Sequence, residues 1–138
     1  MLALVAEDNE DYRQLITLLL ERHGFEVVSV ENGREALSAI SDILIAGKQP
    51  PQVMFLDWTM PGINGLQVLQ RVRKLPGDAK HAYIVILTGH DEEQLVAEAA
   101  NAGADDFIVK NHGAKLLDIK LNAAVRFAKL FEQHHCTA

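Results

Sequence analysis

Five short strand-like runs, separated by segments of helical period, constrain what this chain can fold into. Four of them are continuously apolar and stop abruptly: Leu2–Ala6 at Glu7-Asp8, Val53–Leu56 at Asp57, Tyr83–Leu87 at Thr88, and Phe107–Val109 at Lys110. The fifth, Phe25–Val30, is rich in β-branched residues. Between them, Tyr12, Leu15, Ile16 and Leu19 recur at helical spacing ahead of Gly24, and Ala36, Leu37, Ile40 and Leu44 do so ahead of Gly47. Leu66–Lys74, Asp91–Ala102 (stopped by Gly103) and a last segment from about Ala114 to Gln133 complete the set, with turns at Asn32-Gly33 and Pro76-Gly77. Continuously apolar strands are buried on both faces, which requires a parallel sheet with helices on each side. The expected fold is α/β: one doubly wound, five-stranded parallel sheet in the order 2-1-3-4-5, flanked by five helices, flavodoxin-like.

In that order the first, third, fourth and fifth strands are consecutive neighbours, ~4.8 Å apart. Open parallel sheets bind ligands beyond the carboxyl ends of their strands. Glu7, Asp8, Asp57, Thr88 and Lys110 therefore converge on one crevice. Two like charges ~4 Å apart repel by roughly 4 kcal/mol at an effective dielectric of about 20, so three carboxylates call for a cation. Hard oxygen donors in a partly hydrated crevice suit Mg2+ (or Mn2+), with Asp8 and Asp57 as direct ligands, Glu7 direct or through water, and the backbone carbonyl of Thr59 as a further donor. The same set suits phosphoryl transfer: Asp57 as nucleophile, the metal and Lys110 on two phosphoryl oxygens, and the Thr88 hydroxyl on the third. Asp57 is expected to be ionised at neutral pH and to need no general base.

The chain has 138 residues, which fits one domain, and 49% of them are apolar, which excludes a solvated disordered polymer. A net charge of −6 supplies no basic stripe for direct nucleic-acid binding. The single cysteine, Cys136, allows no internal disulfide and fits a reducing compartment. No apolar stretch is long enough to span a membrane, so a cytoplasmic location is expected. The six histidines form no convincing ligand set, and no glycine-rich nucleotide loop is present.

Four elements in order carry a resemblance: Glu7-Asp8, the segment Leu56-Asp57-Trp58-Thr59-Met60-Pro61-Gly62-Ile63-Asn64-Gly65-Leu66, Thr88, and Asp106-Phe107-Ile108-Val109-Lys110. Over nearly its whole length the chain resembles the response-regulator receiver domains of two-component signalling. The resemblance implies Asp57 as phosphoacceptor, Glu7 and Asp8 as the acidic metal-binding pair, Lys110 as the phosphate-binding lysine, and Thr88 with Phe107 as the switch pair. It implies a phosphoprotein rather than a turnover enzyme, a histidine kinase or histidine phosphotransfer protein as donor, and a signalling surface on the fourth helix, fifth strand and fifth helix. Residues 1–138 are then one receiver domain, with 128–138 a helical extension or a disordered tail.

The sequence departs from the family pattern at Asn111, where a cis proline is usual, and at Gly89, where alanine is common. A non-proline cis bond costs roughly 2.5–4 kcal/mol, so a trans bond or a shifted loop is expected after Lys110. Leu117, Leu121, Ala124, Ala128 and Phe131 follow four-three-four-three spacing. They fit either the core face of a docked helix or a seam for a homodimer, or a lead into an output domain outside this chain. Two other functions remain open from sequence alone: an unphosphorylated interaction module, and an aspartyl-phosphate phosphatase. The phosphatase would need an acid two residues after the nucleophile, where Thr59 stands.

Overall fold

A computed structural model describes residues 1–89, 93–110 and 113–135. Strands β1 (Leu2–Ala6), β2 (Glu26–Val30), β3 (Val53–Asp57), β4 (Tyr83–Thr88) and β5 (Asp106–Val109) alternate with helices α1 (Glu10–Arg22), α2 (Gly33–Ile45), α3 (Gly65–Val72), α4 (Glu93–Ala102) and α5 (Ala114–His135). Every strand pair is parallel, and the sheet order is β2-β1-β3-β4-β5. The predicted fold is the observed one.

Each strand splits its side chains between two cores, as a period of two requires. Val5, Phe55, Val85, Leu87 and Ile108 face α1 and α5, where Ile16, Leu20, Leu117 and Leu121 close the layer. Leu4, Met54, Leu56, Ile84 and Ile86 face the other side, against Ile40, Val68, Leu69 and Ala99. The edge strand β2 packs Val27 on one core and Val28 and Val30 on the other, but only partly, and its run is broken by exposed Glu26 and Ser29.

Three asparagines set the helix starts. Asn9, Asn32 and Asn64 each accept a hydrogen bond from the backbone N–H three residues on, and Asn64 forms a reciprocal capping box with Gln67. At the other end of α1, Gly24 takes φ +90°, a conformation that closes the helix and that an L side chain rarely adopts.

Several boundaries differ from the sequence reading. A 3₁₀ helix over Gly77–His81 occupies what reads as a bare turn, and α3 stops at Val72 rather than Lys74. The expected start of α4 at Asp91, the Lys110–Asn111 bond and Cys136 lie outside the described residues. The heptad-like positions of α5 resolve toward the core: Leu117, Leu121, Ala124 and Ala128 are buried under the sheet, and Phe131 stacks on Phe127, which packs on Tyr83. Those positions are covered by the domain itself, leaving Ile119 and Leu130 as the large exposed apolar residues of α5. Among the described residues no helix is long and apolar enough to cross a membrane.

Arg73 ties the sheet together at the amino ends of β4 and β5. Its guanidinium donates to the carbonyls of Lys80 (2.8 Å), Ala82 (2.6 Å) and Gly103 (2.6 Å) and pairs with Asp105 at 2.8 Å. Asp105 in turn accepts from the Ile84 N–H at 2.8 Å. Arg73→Met keeps the aliphatic stem but strands these acceptors. It is expected to cost about 2–4 kcal/mol of stability in urea denaturation, and an unchanged unfolding midpoint would contradict this role.

Candidate functional site

Register alone brings the acids together. Ala6 lies opposite Leu56, and Asp57 opposite Leu87, so Glu7 leaves β1 beside Asp57 at the end of β3. Thr88 is the last residue of β4, and its carbonyl accepts the Lys110 N–H at 2.8 Å just past β5. The loop after Asp57 is held tightly: the Trp58 N–H donates to the Leu87 carbonyl at 2.8 Å, and the Gly65 N–H returns to the Trp58 carbonyl at 3.2 Å. A Cβ on Gly65 would stand 2.4 Å from the Asp57 carbonyl oxygen. Only glycine allows α3 to begin this close to the strand end.

Oxygen atoms from Glu7, Asp8 and Asp57 all lie within 4.8 Å of one another. Glu7 is fully buried, Asp57 is 3% exposed and Asp8 is exposed. Lys110 sits closest to Glu7, with its Nζ 2.5 Å from Glu7 Oε1 and 3.4 Å from Asp57 Oδ1. Glu7 Oε1 makes no regular hydrogen bond besides that ion pair, while Oε2 accepts the Asn9 N–H at 3.0 Å. Asp57 Oδ1 also accepts the Thr59 N–H at 3.3 Å.

Burial and the two neighbouring acids, Glu7 and Asp8, push the Asp57 carboxyl up to about 8, against a smaller opposing pull from Lys110. Asp8 moves the other way: it accepts the hydrogen bond from Asp57, and its pKa is lowered. Burial beside two like charges thus favours the protonated form of Asp57, an influence that the sequence-based expectation of an ionised nucleophile left out.

The donor set fits a hard divalent ion. Three ionised carboxylates against one ammonium leave two surplus negative charges. A divalent cation would match that surplus. Glu7, Asp8 and Asp57 are the side chains that could hold it. The fold therefore unites the predicted Glu7, Asp8, Asp57 and Lys110. Thr88 stands at the neighbouring strand end, and Phe107 lies on β5, packed toward the α4 side.

Two neighbours were not singled out from sequence. Tyr12, on the first turn of α1, has Lys110 Nζ 5.3 Å from its ring centroid, and burial followed by the Glu7 and Asp57 charges pushes its hydroxyl up to about 12. Arg13 donates to the Glu7 carbonyl at 2.8 Å. Both stand one turn along from Asp8, the only signal that could have marked them.

The family described as response regulator receiver domain matches residues 3–122. The phosphate regulon transcriptional regulatory protein PhoB of Rhizobium meliloti is 33% identical over 91% of the chain, which spans 52% of that relative. A response regulator receiver domain protein from Clostridium thermocellum superposes with a TM-score of 0.76 at 28% identity, covering 94% of this chain and 98% of that one. The BeF3-activated N-terminal receiver domain of Klebsiella pneumoniae RstA superposes at 0.73 with 25% identity, covering 91% of this chain and 99% of that domain.

The raised Asp57 pKa has a consequence for stability. Between the ordinary 3.8 and about 8, the folded metal-free chain binds a proton that the unfolded chain has released. Stability therefore falls as pH rises through that window and levels off above it. Asp57→Asn is expected to stabilise the metal-free protein by on the order of 2 kcal/mol at pH 8.5, with the gain vanishing by pH 4. Urea titrations at both pH values check this; a gain larger at pH 4 than at pH 8.5 would contradict the sign.

Proposed function

Since the chain belongs to the response regulator receiver domain family, we propose that it accepts a phosphoryl group on Asp57 in a reaction that depends on Mg2+ or Mn2+, and signals through its α4–β5–α5 surface. The observation that carries this reading is the meeting of three carboxylates from the ends of β1 and β3 with the Lys110 ammonium. Glu7, Asp8, Asp57 and the Thr59 carbonyl are the groups that would hold the ion. When bound, it supplies positive charge that favours the ionised form of Asp57 and offsets the charge of an incoming phosphoryl group.

Asp57 attacks the phosphorus of a phosphohistidine on a histidine kinase or phosphotransfer protein. An O–P bond forms on Asp57 as the donor's P–N bond breaks, and the imidazole leaves with the electron pair. Lys110 leaves Glu7 to pair with one phosphoryl oxygen, and the Thr88 hydroxyl donates to another. Phe107 follows Thr88 and re-shapes the signalling surface, biasing a two-state equilibrium. The domain catalyses its own phosphorylation and hydrolysis, not turnover of a free substrate, and works in the cytoplasm, where kinase domains meet it. The surface is read by a protein partner or an output domain. A homodimer through α5 would use Ile119 and Leu130, since its heptad positions are covered. No observation favours a phosphatase: Thr59 stands where its second acid is needed.

Intact mass after treatment with acetyl phosphate and magnesium is expected to show one added phosphoryl group on the wild type, and none on Asp57→Asn or with the metal chelated. Equal labelling of the variant, or an unlabelled wild type, would overturn the assignment.

A further inference from the structure

Lys120 lies on α5 one residue before the core position Leu121, yet its side chain leaves the core face and reaches over the edge strand β5. Its ammonium stands 2.5 Å from the Phe107 carbonyl oxygen, 3.1 Å from Asp106 Oδ1 and 4.3 Å from the centroid of the Phe107 ring. The same Asp106 oxygen accepts the Phe107 N–H at 2.8 Å. Ring, carbonyl and, through Asp106, amide of one residue are thus all fastened to a single cation. The Lys120 side chain is only 19% exposed, so these contacts are not those of a freely solvated surface lysine.

We propose that Lys120 is a positioning residue that holds Phe107 in its unphosphorylated arrangement and so sets the threshold for the switch. The inference rests on the reading of Phe107 as a switch residue. An ammonium within about 6 Å of an aromatic face attracts the ring, and more strongly when partly desolvated. A ring that turns inward must leave that ammonium, so the contact weights the equilibrium toward the inactive form. Asp106 keeps the ammonium in place, and its carboxylate matches the charge. Lys120 also covers one face of this part-exposed aromatic ring on an edge strand.

The test uses the full chain and NMR. First, without metal or phosphoryl mimic, Lys120→Met should shift the Phe107 ring resonances and speed its ring flips, and Lys120→Arg should restore both. This arm needs no phosphorylation chemistry, so it decides the contact even if Asp57 proves not to be the acceptor. Second, titration with beryllofluoride and magnesium should show tighter binding by Lys120→Met, by about three- to tenfold on the scale of a partly desolvated cation–π contact. Lys120→Arg should bind like wild type, and Lys120→Met should have no effect in a Phe107→Leu background. Unmoved ring resonances, or unchanged or weaker beryllofluoride binding by folded Lys120→Met, would overturn the proposal. Wild-type protein that binds no beryllofluoride while the ring resonances respond would sink the phosphoacceptor reading and the threshold role, but leave the contact standing.

Discussion

Three carboxylates crowd one ammonium where β1 and β3 end, and the other features of the site follow from that imbalance. Burial removes the solvent that would otherwise spread the charge. Glu7, fully buried, is committed to Lys110 and to the Asn9 N–H. Asp8 keeps its negative charge and accepts from Asp57. Burial and these two acids push the Asp57 carboxyl upward. A divalent ion held by these carboxylates would supply the missing positive charge and favour the ionised form of Asp57. Lys110 stands between two partners, nearer Glu7 than Asp57.

The scaffold separates holding from reacting. At the amino ends of β4 and β5, Arg73 fills its donors with backbone carbonyls and Asp105. At the carboxyl ends, side chains are charged, close together and incompletely paired. Two apolar layers, one beneath α1 and α5 and one beneath α2, α3 and α4, fix the strands between these ends. Gly65 then lets α3 begin directly over the Asp57 carbonyl. Lys120 bridges from the rigid core helix to the edge strand, where movement would have to occur.

The strand ends were legible because four apolar runs stop at charged or hydroxyl residues, and a parallel sheet places such stops side by side. Glu7, Asp8, Asp57, Thr88 and Lys110 could be placed on that ground before any coordinates, whereas Phe107 came from the family resemblance alone. What escaped was long-range or electrostatic. Arg73 reads as one more cation on a helix, since its acceptors are backbone carbonyls up to thirty residues away. Lys120 reads as solvated for the same reason. The protonation of Asp57 depends on burial depth, which residue types do not reveal. The α5 pattern was ambiguous because a docked helix and a coiled-coil seam share nearly the same period; the buried Leu121 and Ala124 fit the docked helix.

The most direct measurement of the central claim, that Asp8 and Asp57 share one divalent ion, is anomalous diffraction from crystals soaked in Mn2+. The expected result is a single strong peak within about 2.5 Å of carboxylate oxygens from both residues, lost in Asp57→Ala crystals. A peak elsewhere, or one that leaves Asp57 outside the coordination sphere, would contradict it.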